Sequence, residues 1–191
     1  MIKKGKCIIF SAPSGSGKTT LVKSLIKNSK LNLCFSISAT TRKKREGEKE
    51  GLDYFYISKD KFEKCIKQGE MLEYEEVYEG TYYGTFKKEL NKLLSNHNVI
   101  FDIDVEGGIK LKNLFKENAL SVFVKPPSID ELETRLKSRA KDTDHSIKIR
   151  LEKAKKELQK ENSFDIIIVN DDLNVAKDKS IQIVHQFLNN Q

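Results

Sequence analysis

Phe10-Ser11-Ala12-Pro13-Ser14-Gly15-Ser16-Gly17-Lys18-Thr19-Thr20 decides how the rest of the chain is read. An apolar run, Cys7-Ile8-Ile9-Phe10, leads into it and has the length and composition of a buried strand. Leu21, Val22, Leu25 and Ile26 follow at helical spacing. A glycine-rich loop between a strand and a helix is the setting of a phosphate-binding P-loop. Gly15 and Gly17 let the backbone turn sharply and bring its N–H groups up to phosphate oxygens. The helix that starts near Lys18 aims the positive end of its dipole at the same anion. Lys18 is expected to reach the β- and γ-phosphates, and Thr19 to offer its hydroxyl to Mg²⁺. One position departs from G-x-x-x-x-G-K-[ST]: Ala12 stands at the first glycine.

The 191 residues suit one domain, or one core with insertions, and are enough to bury a core without staples. Three cysteines, Cys7, Cys34 and Cys65, are far apart and form no C-x-x-C, which argues for a reducing compartment and against a disulfide scaffold or a zinc site. The histidines, His97, His145 and His185, are scattered and carry no assigned chemistry. No apolar run is long enough to cross a membrane, and no signal peptide is expected, so the chain reads as cytoplasmic. The net charge of +7 is spread along the sequence, which favours a solvated surface and a small polyanionic ligand over a nucleic-acid stripe.

Leu33 to Ser38 reads as a second strand. Arg42-Lys43-Lys44-Arg45 follows, and Glu46, Glu48 and Glu50 come directly after it. The acids weaken a nucleic-acid reading, and two arginines three apart beside Ser and Thr suit a phosphate monoester. Residues 51–85 are rich in tyrosine and acid, with a short helix expected from Ser58 to Gln68. A carboxylate can accept from guanine N1–H and its exocyclic amine together, which makes Glu73 a candidate guanine reader. Tyrosines here either bind phosphate or pack a polar β-insertion.

A helix is expected over Phe86 to Leu94. Val99 to Glu106 reads as a strand in which Phe101, Ile103 and Val105 alternate with Asp102, Asp104 and Glu106, so three carboxylates would share one side. A helix from Ile109 to Phe115 and a strand from Ala119 to Val124 come next. Ser128-Ile129-Asp130-Glu131 is a capping box. It opens a helix on which Arg135 and Arg139 share a face. A second helix carries Ile147, Leu151, Ala154 and Leu158 on its apolar stripe, with Arg150 off it. This pair of helices, with three arginines beside a P-loop, reads as a lid. A strand from Phe164 to Val169 and a helix from Leu173 to Leu188 close the chain. Alternating strands and helices predict a parallel α/β sheet covered on both faces.

The motifs Ser38-Ala39-Thr40-Thr41-Arg42, Arg45-x-Gly47-Glu48, Gly51-Leu52-Asp53-Tyr54, Tyr82-Tyr83-Gly84-Thr85, Asp102-Ile103-Asp104 and Val169-Asn170-Asp171, with the P-loop, resemble those of guanylate kinases from about Lys6 to Phe187. The resemblance implies a P-loop nucleoside monophosphate kinase fold that transfers the γ-phosphate of ATP to GMP with Mg²⁺ as cofactor. It implies a core of residues 1–35, 86–126 and 160–191, a GMP-binding region at 36–85 and a lid at 127–159. ATP would be bound by Ser11, Ala12, Pro13, Ser14, Gly15, Ser16, Gly17, Lys18, Thr19, Thr20 and Asn170. GMP would be bound by Ser38, Arg42, Arg45, Tyr54, Glu73, Tyr83, Gly84, Thr85 and Asp104. Lys18, Arg135, Arg139 and Arg150 would stabilise the transfer, and Thr19 and Asp102 would hold Mg²⁺, partly through water. The stretch from Glu73 to Tyr83 is one residue longer than the family's usual spacing, which leaves Glu75 and Glu76 as rivals of Glu73. Whether Asp102 or Asp104 is the closer contact also stays open. Nucleic-acid and membrane partners are not expected, and a homo-oligomer is compatible with the sequence.

Overall fold

The computed structural model describes residues 5–78, 80–138 and 143–190. β1 (Cys7–Ser11), β2 (Leu33–Phe35), β7 (Asn98–Ile103), β8 (Ala119–Lys125) and β9 (Ile166–Val169) form an all-parallel sheet in the order β2-β7-β1-β8-β9. Every residue of β1 is buried, because the sheet is covered on both sides. Ile8 and Phe10 face a cluster with Leu21, Val22 and Leu25 of α1 (Lys18–Lys27) and Val184 of α7 (Leu173–Asn189). Cys7 and Ile9 face the opposite cluster, with Leu90 of α3 (Lys87–Leu94) and Leu111 of α4 (Val105–Phe115). The two-residue alternation of a strand thus feeds two cores at once.

A second, four-stranded sheet has the order β4-β3-β6-β5 and comes from the tyrosine-rich stretch. Its strands are β3 (Ala39–Thr40), β4 (Phe55–Tyr56), β5 (Met71–Tyr78) and β6 (Thr81–Phe86). It has an apolar core of its own where Phe62 and Cys65 of α2 (Lys59–Lys67) meet Ala39 and Met71. The Ser58 hydroxyl caps α2 by accepting from the Lys61 N–H. β5 and β6 pair antiparallel with two register shifts, one between Met71 and Glu73 and one between Glu76 and Tyr78.

α5 (Ile129–Ser138) and α6 (Asp144–Leu158) pack through Leu132, Leu136, Ile147, Leu151 and Ala154. Ser128 caps α5 as the sequence predicts, accepting from the Glu131 N–H at 3.0 Å. The Glu131 carboxylate bonds Arg135 at 2.8 Å. Arg139 lies outside the described residues.

Several boundaries differ from the sequence reading. β2 ends at Phe35, three residues short of Ser38. Phe86 is the last residue of β6, and α3 begins at Lys87. The larger correction concerns the three carboxylates. β7 ends at Ile103, and Asp104 caps α4 by accepting from the Gly107 N–H at 3.0 Å. Val105 and Glu106 are therefore helical, and Asp102, Asp104 and Glu106 do not share one side of a strand. The alternation ran on by chance past a side-chain cap, which two-residue periodicity does not register.

Candidate active site

The C-terminal ends of β1 and β7 open into a cavity of about 250 Å³. This is the edge of a parallel sheet where ligands are held, beside the point at which strand order reverses. One wall is the loop from Ala12 to Thr20, and the facing wall is Ser38, Arg45, Tyr54 and Tyr83. Asp102, Ile103 and Asp104 lie between, and Arg150, Lys153 and Glu157 of α6 also line it.

The loop is held from below. Gly15 and Gly17 both have positive φ, +99° and +90°. A Cβ on Gly17 would lie 2.1 Å from Asn170 Nδ2, so glycine is required there for its space as well as its conformation. The same Nδ2 donates to Ser16 O at 2.7 Å, and Asn170 is buried. The structure thus puts Asn170 beneath the loop as its support. Ser11 is also below the cavity, its hydroxyl donating to Asp104 O at 3.1 Å. Thr19 and Thr20 are exposed on the first turn of α1. Lys18 Nζ forms an ion pair with Asp102 at 2.8 Å and donates to Ile103 O.

Arg42 does not itself line the cavity; next to Tyr83 and Tyr54 it makes a two-pronged contact with Glu48, at 2.8 and 3.0 Å. It also donates to the Tyr83 hydroxyl at 3.2 Å, and its guanidinium lies 5.3 Å from the Tyr54 ring centre. Glu48 further accepts from the Arg45 N–H and the Tyr56 hydroxyl, each at 2.7 Å. Burial alone would raise the Glu48 carboxyl, but these bonds hold it at about 2, so it stays ionised. Burial, with Tyr83 and Asp102 nearby, raises the Tyr54 hydroxyl, so it stays a protonated donor.

Glu73 is 6 % exposed and accepts from the Thr85 hydroxyl at 2.6 Å. The two residues face each other across β5 and β6. Burial pushes Glu73 up to about 7 against the pull of the Thr85 bond, and Asp104 adds to the rise. Its rivals are otherwise engaged: Glu75 pairs with Lys110 at 2.7 Å, and Glu76 accepts from the Gly80 N–H at 2.7 Å. Gly84 lies buried between them in β6, where a Cβ would come within 2.8 Å of Glu73 O.

A family model described as guanylate kinase matches residues 4–191. The chain belongs to the guanylate kinase family. A guanylate kinase of Bacteroides thetaiotaomicron is 48 % identical over 188 residues, covering 98 % of this chain and 92 % of that one. The Malacoplasma penetrans guanylate kinase is 47 % identical over 186 residues, covering 96 % and 94 %. The crystal structure of guanylate kinase from Anaplasma phagocytophilum superposes with a TM-score of 0.81 at 30 % identity, over all of this chain and 90 % of that one. A shikimate kinase from Bacteroides thetaiotaomicron superposes over 96 % of this chain and 98 % of its own at a TM-score of 0.53 and 18 % identity, a likeness of fold alone. A sheet shared with a kinase of another name leaves acceptor choice to the side chains.

On α5, Arg135 is held by Glu131 and donates to Asn170 O at 3.2 Å. Arg150 Nη1 donates to Ser14 Oγ at 2.8 Å, which ties α6 to the phosphate loop. Sequence reading gave no role to Glu48, Tyr56, Lys153 or Glu157. The last two were legible: positions 150, 153 and 157 form a charged stripe one residue before the apolar stripe 151, 154 and 158. Glu48 meets Arg42 through an irregular loop, where no periodicity signals the contact. Among the described residues no three His, Cys, Asp or Glu side chains converge on a metal position. Nor is any described helix long and apolar enough to cross a membrane.

Proposed function

We infer that the chain transfers the γ-phosphate of ATP to GMP, giving ADP and GDP, and that the cavity is where the two nucleotides meet. In this reading the parallel sheet holds the donor, residues 36–85 hold the acceptor, and residues 127–159 form the lid. The observation that carries it is one cleft with a phosphate loop on one wall, Arg45, Tyr54 and Tyr83 opposite and Asp104 between them, together with the buried Glu73–Thr85 pair.

Loop N–H groups and Lys18 would bind donor phosphates, with the α1 dipole favouring the anion. Arg42, Arg45, Tyr54, Tyr83 and Ser38 would hold the acceptor phosphate. Arg42 is already oriented by a carboxylate, so it exchanges one anion for another with little reordering. Glu73 would accept from guanine N1–H and its amine, and Asp104 and Thr85 would complete the base site. Adenine presents no such donor pair on that edge, so it would leave the buried carboxylate unpaired.

Phosphoryl transfer asks for alignment and positive charge more than for acid or base groups. Lys18, Arg135 and Arg150 supply that charge from three different elements. Arg139 would add to it by its position in the sequence. Closure of α5 and α6 over the cleft would exclude water, which competes as an acceptor.

The donor set fits Mg²⁺ carried in with ATP: the Thr19 hydroxyl is exposed beside the loop, and Asp102 adds a carboxylate. Both are hard oxygens, and a magnesium ion that keeps several waters and phosphate oxygens needs no protein cage. When bound it neutralises charge across the β- and γ-phosphates. All three cysteines are unpaired, which supports a reducing compartment, the cytoplasm.

The test is an ADP-release assay with ATP and Mg²⁺, offering GMP, AMP, CMP and UMP separately. Turnover with GMP far above the other three is expected. Comparable turnover with another monophosphate would overturn the role of Glu73.

A further inference from the structure

The charged stripe of α6 has more in it than the arginine that meets the phosphate loop. One turn after Arg150, Lys153 Nζ donates to Val77 O of β5 at 3.0 Å. One turn further, Glu157 lies 3.7 Å from the same ammonium and is 8 % exposed. Both side chains line the cavity. A half-buried ammonium loses part of its hydration, and it recovers this from a carbonyl on one side and a carboxylate on the other. Glu157 belongs to the same helix as Lys153, whereas Val77 belongs to the four-stranded sheet. The pair therefore crosses from the lid to the acceptor side.

α6 is thus fastened at two points. Arg150 binds Ser14 of the phosphate loop, and Lys153 binds the strand that carries Glu73 four residues earlier. A donor nucleotide that draws in Arg150 carries Lys153 with it. An acceptor that seats β5 presents Val77 O to Lys153. Each ligand then favours the arrangement that the other needs, and by linkage each must tighten the other by the same factor.

We propose that Lys153 is a positioning residue that straps α6 to β5 and so couples ATP binding to GMP binding. The inference rests on the proposed assignment of the two nucleotides to the two walls. Glu157 is the counter-carboxylate that keeps the ammonium on the cavity side. Burial pushes its carboxyl up to about 7, against the pull of Lys153.

Calorimetric titration of the full chain with the magnesium complex of an imido analogue of ATP, with and without saturating GMP, tests this. In the parent, GMP should tighten the analogue by about 5- to 150-fold, the usual range for linked sites. In Lys153→Met that factor should fall below about twofold, while each ligand alone binds within about threefold of the parent. Lys153→Arg, which can still donate to Val77 O, should restore at least half of the coupling free energy. Thermal melts of the variants separate a strap from a folding defect, since loss of coupling at unchanged Tm is the expected result. Coupling that persists in Lys153→Met would overturn the strap. So would a tenfold loss of the analogue's separate affinity with coupling intact, since that would make Lys153 a phosphate ligand. A parent that binds both ligands without coupling overturns the strap alone, and a parent that does not bind GMP overturns the functional reading with it.

Discussion

The two sheets line the cavity in opposite ways. The parallel sheet is buried on both faces, and it lines the cavity with backbone: a loop with glycines at positive φ that leave little to adjust. The smaller sheet has an apolar core of its own and presents side chains, each held by a neighbour. Arg42 leans on Glu48 and Tyr83, Arg45 fixes Glu48 through its N–H, and Glu73 leans on Thr85. Backbone recognition suits the triphosphate end, which is the same whatever the acceptor. Side-chain recognition suits the acceptor, where identity has to be read.

Four substitutions or conditions press on that contrast. The largest effect is expected on the backbone side: Lys18→Ala should lower kcat roughly 10³-fold, the scale of removing one preorganised charge from a transition state. The parallel sheet should keep its Tm, and near-normal turnover would break the assignment of this wall. On the other wall Glu73→Gln should cut kcat/KM for GMP roughly 10²-fold and narrow the gap to AMP, while KM for ATP stays put. If Glu75→Gln does this and Glu73→Gln does not, the base reader is misplaced. Glu48→Gln should be milder, raising KM for GMP about tenfold as Arg42 loses its charged partner. An equal rise in KM for ATP would show that the two walls are not separable.

A last effect is one of pH on the unliganded protein. The Glu73 carboxyl stands at about 7 in the fold against an ordinary 4.5. Between those values the folded chain holds more protons than the unfolded one, so stability falls as pH rises through the window and levels off above it. Glu157, also at about 7, acts in the same direction. Glu73→Gln removes one of the two contributions, on the order of 2 kcal/mol. Its Tm relative to the parent should therefore climb between pH 5 and pH 7.5. A difference that stays constant with pH would remove the raised carboxyl from the account.

Much of the backbone wall is readable in one stretch, because strand, glycines, lysine and helix are contiguous from Cys7 to Ile26. The acceptor wall is less so. Arg42, Tyr83 and Glu48 are brought together by pairing between β3 and β6 and by a loop, which no local pattern reports. The family resemblance marked most of these positions but not the partners that hold them. Asp104 misled for a different reason: a cap and a strand residue look alike in an alternating run, and only the Gly107 N–H tells them apart. Lys153 and Glu157 were within reach of helical spacing, but reading them needs the apolar stripe to be fixed first.

Asp104 also bears on how such an enzyme can diversify. The same residue faces the cavity, follows directly on β7 and caps α4, and its backbone oxygen receives the Ser11 hydroxyl. Replacing it to change the acceptor would disturb a helix start worth about 1 kcal/mol as well as the proposed base site. Glu73 and Thr85 cap no helix, since both belong to strands of the smaller sheet. A lineage drifting toward another base would find its permissive steps there, with Asp104 left as the inherited anchor around which the new specificity has to be arranged.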